Sequence, residues 1–72
     1  EHVGEIEASL ARLRERQAAV AFARARYYDR ILHKPESALI EYRRFAALFP
    51  AAPQAAEARA RIAQLAPEEK EP

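Results

Sequence analysis

Few side chains in this sequence could make or break bonds. The serines are Ser9 and Ser37, the histidines are His2 and His33, and cysteine is absent. A nucleophilic hydroxyl needs a neighbouring base, and that base needs a third group to orient it. Ser37 and His33 lie close in sequence, but nothing around them orients the imidazole. A zinc site on a helix needs a second ligand one turn from the first, and neither histidine has one; thiolate ligation is excluded outright. The single glycine, Gly4, rules out a glycine-rich phosphate loop. No catalytic residue, metal ligand, cofactor or small-molecule substrate is expected.

Arginine is the remaining reactive group. Arg12, Arg14, Arg16, Arg24, Arg26 and Arg30 crowd the first half, opposed there mainly by Glu15 and Asp29. A guanidinium can hold a carboxylate or phosphate through two parallel hydrogen bonds. One reading is therefore an acidic protein partner. Its rival is nucleic acid, with arginines on phosphates and Tyr27 or Phe22 stacked on bases. The net charge of only +1, and the scatter of Arg12, Arg14 and Arg16 around a helix, disfavour nucleic acid.

The elements that would position these groups are helices. Alanine, arginine, leucine and glutamate dominate, and they are the strongest helix formers. Hairpin dipeptides and long β-branched runs are missing. The prolines Pro35, Pro50 and Pro53 divide the chain, because proline suits a first helical turn and disrupts an interior one. The fold class read from this is all-α: a helical hairpin plus a third helix. Helix 1 is expected over about 5–32, helix 2 over about 35–49 and helix 3 over about 53–65, with 66–72 a frayed tail. Helix 1 carries two apolar stripes. One holds Ile6, Leu10, Leu13, Val20, Tyr27 and Ile31, interrupted by Gln17 and Arg24; the other holds Ala18, Ala21, Ala25, Tyr28 and Leu32. Together they predict a wide inner face. Ala38, Leu39, Tyr42, Phe45 or Ala46, and Phe49 would line helix 2, and Ala56, Ala60, Ile62 and Ala63 helix 3. The first stripe of helix 1 also has seven-residue spacing, which allows pairing with another copy as a short coiled coil.

At 72 residues the chain is one domain, 1–72, of a size that buries only about 60% of its unfolded surface. The longest uncharged stretch, 17–23, falls well short of the roughly 20 residues that a membrane span requires. Beginning at Glu1 without methionine and ending in an acidic run, the chain reads as a piece of a larger protein.

An internal repeat sharpens the expectation. Ala23-Arg24-Ala25-Arg26 recurs as Ala58-Arg59-Ala60-Arg61, at an offset of 35 residues, and Ala21 recurs as Ala56. The tetratricopeptide period is about 34. Ala25 and Tyr28 stand where that repeat has its small and aromatic residues, and Ala38, Tyr42 and Pro50 match those of its second helix and exit. The extra residue would fall in the turn 33–37. Ala21 and Arg24 depart from the pattern, replacing a large aromatic and a leucine. The chain thus resembles one tetratricopeptide repeat plus the first helix of the next. More narrowly, the runs Ala25-Arg26-Tyr27-Tyr28-Asp29-Arg30, Ser37 to Phe45, Phe49-Pro50 and Ala55 to Arg59 look like outer-membrane assembly lipoproteins of the BamD type and the periplasmic Tol-Pal-associated repeat proteins.

That resemblance implies a protein-binding scaffold at the periplasmic face of the outer membrane, tethered by a lipid outside this segment. It also implies a groove lined by the first helix of each repeat. Phe22 would anchor a partner there, with Arg26, Asp29 and Arg30 beside it and Gln54, Glu57 and Arg61 joining from helix 3.

Overall fold

The structure is a computed structural model that describes residues 2–66. The described chain is all helical: α1 spans His2–Arg26 and widens into a π-helical turn, Tyr27–Ile31; α2 spans Pro35–Leu48; α3 spans Ala55–Leu65. Helices α1 and α2 form the expected hairpin, and α3 packs on α2. The expected tail is divided. Ala66 is buried and closes α3 by donating its N–H to Ile62 O at 2.9 Å, whereas 67–72 lie outside the described residues.

Local chemistry explains most of the boundaries. Glu5 lies in the first turn of α1 and Arg24 and Arg26 in its last, matching the helix dipole at both ends. In the π turn, Leu32 N–H reaches back five residues to Tyr27 O at 3.0 Å, and Lys34 N–H closes on Tyr28 O at 2.8 Å. Between those donors His33 takes a left-handed conformation, φ 54°. That is a helix-ending geometry usually filled by glycine. Pro35 occupies the first turn of α2, and Pro50 follows its last residues. The third helix begins at Ala55, two residues later than expected. Pro53 instead belongs to a compact turn in which Ala52 N–H donates to Phe49 O at 3.1 Å and Ala55 N–H to Ala52 O at 3.0 Å.

The core is small and made of alanine and aromatic rings. Ala18, Phe22, Ala25, Ala38, Tyr42, Phe45, Ala55 and Ala58 are buried together, with Ala21, Tyr28, Phe49, Ala52, Ile62 and Leu65 packed around them. Phe22 stands 5.3 Å from Phe45 and 6.0 Å from Tyr42, centroid to centroid. Phe49 continues the stack, 5.7 Å from Phe45. Alanines bring the helix backbones together, and the rings fill what remains.

Two expected faces are corrected. On α1 the alanine stripe turns inward, while Ile6, Leu10, Leu13, Val20, Tyr27 and Ile31 are exposed. The two stripes diverge around the helix, and a single hairpin partner covers only one. On α3 the inner face is Ala55, Ala58, Ile62 and Leu65; Ala56 and Ala60 face solvent. The molecule is elongated, 51 × 30 × 13 Å with a radius of gyration of 14.6 Å. A compact chain of this length would have roughly 11 Å. The difference comes from α1, which projects beyond the hairpin, so that every side chain from Val3 to Gln17 is exposed.

Phe45 is fully buried against two other rings. Phe45→Ala is expected to cost about 3–5 kcal/mol, which rivals the whole stability of so small a domain. Thermal unfolding followed by circular dichroism should lose its cooperative transition. Leu48→Ala, at a half-exposed position, should shift the midpoint little. Equal effects of the two substitutions would contradict this core.

Candidate functional site

Three helical segments converge on one carboxylate. Asp29 lies in the π turn of helix 1 and is 7% exposed. Arg61, on α3, donates from Nε to Asp29 Oδ2 at 2.7 Å and from Nη2 to Oδ1 at 2.9 Å. This is the two-pronged geometry that makes arginine the preferred partner of a carboxylate. The Tyr42 hydroxyl, on α2, donates to Oδ2 at 2.9 Å. Arg30 adds its charge from the solvent side, with Nε 3.7 Å from Oδ2. The remaining prong of Arg61 donates to Gln64 Oε1 at 2.8 Å.

Electrostatics follow from this geometry. The hydrogen bond from Arg61 lowers the Asp29 pKa below its ordinary value of 3.8; burial opposes the shift, and Tyr42 and Arg30 reinforce it. Burial first, and the adjacent Asp29 second, push the Tyr42 phenol from 10.0 up to about 12. Arg61 is held more firmly protonated by the same carboxylate.

A second clamp joins the other end of the hairpin. Arg14 reaches from α1 to donate to Leu48 O at 2.7 Å, and its guanidinium lies 4.9 Å from the Phe49 ring centroid. The last carbonyls of a helix lack intrahelical donors and carry partial negative charge. The last turn of α2 has no basic residue of its own, so Arg14 supplies the cation across the hairpin.

Beside this clamp opens a cleft of about 780 Å³. Ala11, Arg14, Glu15 and Ala18 of α1 form one wall, and the turn Phe49–Gln54 forms the other. Its lining is mainly apolar. Gln54 is one of the lining residues, and its Oε1 is buried without a hydrogen-bond donor. A buried acceptor left unpaired costs about 1–3 kcal/mol.

The residues expected to share a groove divide into three groups. Phe22 is a core residue: its ring is packed beneath Tyr42 and Phe45 and is not available as an exposed anchor. Asp29 and Arg61 satisfy one another. Arg26 and Arg30 are exposed, with Arg26 5.9 Å over the outer side of the Phe22 ring. Glu57 is exposed, and Gln54 alone of the set lines the cleft. Arg14 and the turn 49–52 were not among the expected site residues. The two closely spaced prolines, Pro50 and Pro53, were the available signal that a shaped turn stood there.

No protein-family model, curated protein or solved structure matches the chain.

The pH dependence of stability can be signed from the network. Asp29 is held ionised by folding, so its contribution is present above 3.8 and is lost as pH falls through the lowered value. Tyr42 is held neutral, so its contribution is present below 10.0 and is lost as pH rises towards about 12. Melting temperature should be flat near neutrality and fall at both ends. Tyr42→Phe should cost about 1–2 kcal/mol at neutral pH and remove the phenol's share of the alkaline fall. An unchanged alkaline limb in that variant would contradict the assignment.

Proposed function

We propose that the chain is a protein-binding module of the helical-repeat kind, and that a partner polypeptide docks in the cleft between α1 and the Phe49–Gln54 turn. The observation that carries this reading is the largely apolar recess itself, about 780 Å³, between α1 and the Phe49–Gln54 turn. A small apolar side chain is the complement of the Ala11, Ala18 and Ala52 walls. Arg14 and Glu15 at the border would set the polarity of the segment. Arg26 and Arg30, exposed further along helix 1, remain open to acidic groups of the same partner.

The tetratricopeptide reading draws on the hairpin-plus-helix arrangement, the 35-residue offset and the small and aromatic positions given above. A π turn takes one more residue than an α turn, so Tyr27–Ile31 can accommodate the residue by which the offset exceeds the usual period. The narrower reading, an outer-membrane assembly lipoprotein of the BamD type at the periplasmic face, rests on the quoted residue runs alone. None of the described helices is long and apolar enough to cross a membrane.

The test is selection of a displayed random peptide library on the immobilised chain, followed by chemical-shift mapping with the enriched peptides. Shifts should concentrate at Arg14, Ala18, Phe49 and Gln54. Ala11→Trp places a bulky ring in the cleft from an exposed helical position, and it should abolish binding without lowering the melting temperature. Shifts confined to another face, or full binding by the tryptophan variant, would overturn the assignment.

A further inference from the structure

Among the described residues, no other helix covers the apolar side chains of the projecting half of α1. From Val3 to Gln17 every side chain is exposed, and the first buried residue is Ala18. An isolated helix of about 12–15 residues is marginal in water, and helices in proteins draw most of their stability from packing an apolar face. This segment has such a face. Val3, Ile6, Leu10 and Leu13 stand in an unbroken alternation of three and four, extended by Gln17, Val20, Arg24, Tyr27 and Ile31. Val3, Ile6, Leu10, Leu13 and Val20 are each about half exposed or more, from 47% at Leu13 to 63% at Val3. The alternation is that of the seam of a coiled coil.

We propose that the chain pairs with a second copy of itself along this seam, with the two α1 helices antiparallel and Leu10 of one protomer stacked on the partner's Leu13. The flanking charges select that arrangement. In this register Val3 meets the partner's Val20, Ile6 meets the partner's Gln17, and Glu7 lies beside the partner's Arg14, twice by symmetry. Arg14 uses Nη2 on Leu48 O, which leaves other guanidinium donors for a carboxylate. Arg24 falls beyond the overlap, in solvent. A parallel pairing in register would instead bring Arg24 against the partner's Arg24 inside the seam, where like charges are unfavourable. Sliding the antiparallel pair by one heptad either way sets Glu7 against the partner's Glu7 or Arg14 against the partner's Arg14. The alanine face that builds the core points to a different side of α1, and so do Ala11, Glu15 and Ala18 of the cleft wall; Arg14 alone borders both surfaces.

The chain has no cysteine, which makes directed cross-linking direct to read. Equal amounts of Val3→Cys and Val20→Cys chains, mixed and mildly oxidised, should yield mainly the mixed disulfide dimer. Val3→Cys alone should give little, because the two Val3 positions lie roughly 25 Å apart in the antiparallel register. Analytical ultracentrifugation of the unmodified chain should show monomer and dimer exchanging with concentration, and Leu10→Glu should be monomeric throughout. Efficient cross-linking of Val3→Cys to itself, a trimer, or a monomer at every concentration would each overturn the proposal.

Discussion

The arrangement of the three helices depends on one buried carboxylate. Asp29 is removed from water and offset by the two guanidinium prongs of Arg61 on α3 and the phenol of Tyr42 on α2. Burying a charge costs several kcal/mol unless it is paired and hydrogen-bonded. Sliding α2 or α3 by a fraction of a turn would withdraw a donor and leave that cost unopposed. The interaction therefore contributes more to register than to net stability. The apolar core beneath it is too uniform to set register alone. Five of its eight members are alanines, whose small faces allow close approach without specifying a depth. Phe22, Tyr42 and Phe45 supply shape, and Tyr42 joins the two systems by packing its ring in the core while its hydroxyl meets Asp29.

The cleft follows from the same constraints. The Asp29–Arg61 pair anchors α3 to the far end of α1, and Arg14 ties the near end to the last carbonyl of α2. Between these clamps the chain must travel from Phe49 to Ala55, and Pro50 and Pro53 prevent it from doing so as a helix. The result is a turn held away from α1, with Gln54 directed inward and unpaired. Recess and seam then lie on different sides of one helix.

Much of the fold was legible in the sequence because it is encoded by local rules. Proline positions, helix propensity and the absence of turn dipeptides yield three helices, with α2 placed to within a residue. The inner residues of α2 were also readable, since that helix has one apolar stripe. Helix α1 has two, and periodicity cannot say which of two stripes meets the partner. Both stripes together suggested one wide inner face, whereas close helix approach selected the alanines and left Ile6, Leu10 and Leu13 outside. The late start of α3 was hidden because Pro53 suits a first helical turn and a tight loop equally well. Asp29 and Arg61 read as groups facing a partner-binding groove, because their mutual distance is a tertiary fact. Two opposite charges 32 residues apart read as surface groups until the helices between them are folded. Arg14 carried no sequence signal that set it apart from its arginine neighbours.

The most direct test of this account is the titration of the Asp29 side-chain carboxyl, followed by carbon-detected NMR on specifically labelled protein. The account predicts a pKa below 3.8, with Gln54 and Arg61 amide resonances moving together with it as the helices lose their common tie. A carboxyl that titrates at or above the ordinary aspartate value would contradict it, and so would one that leaves those amides unmoved.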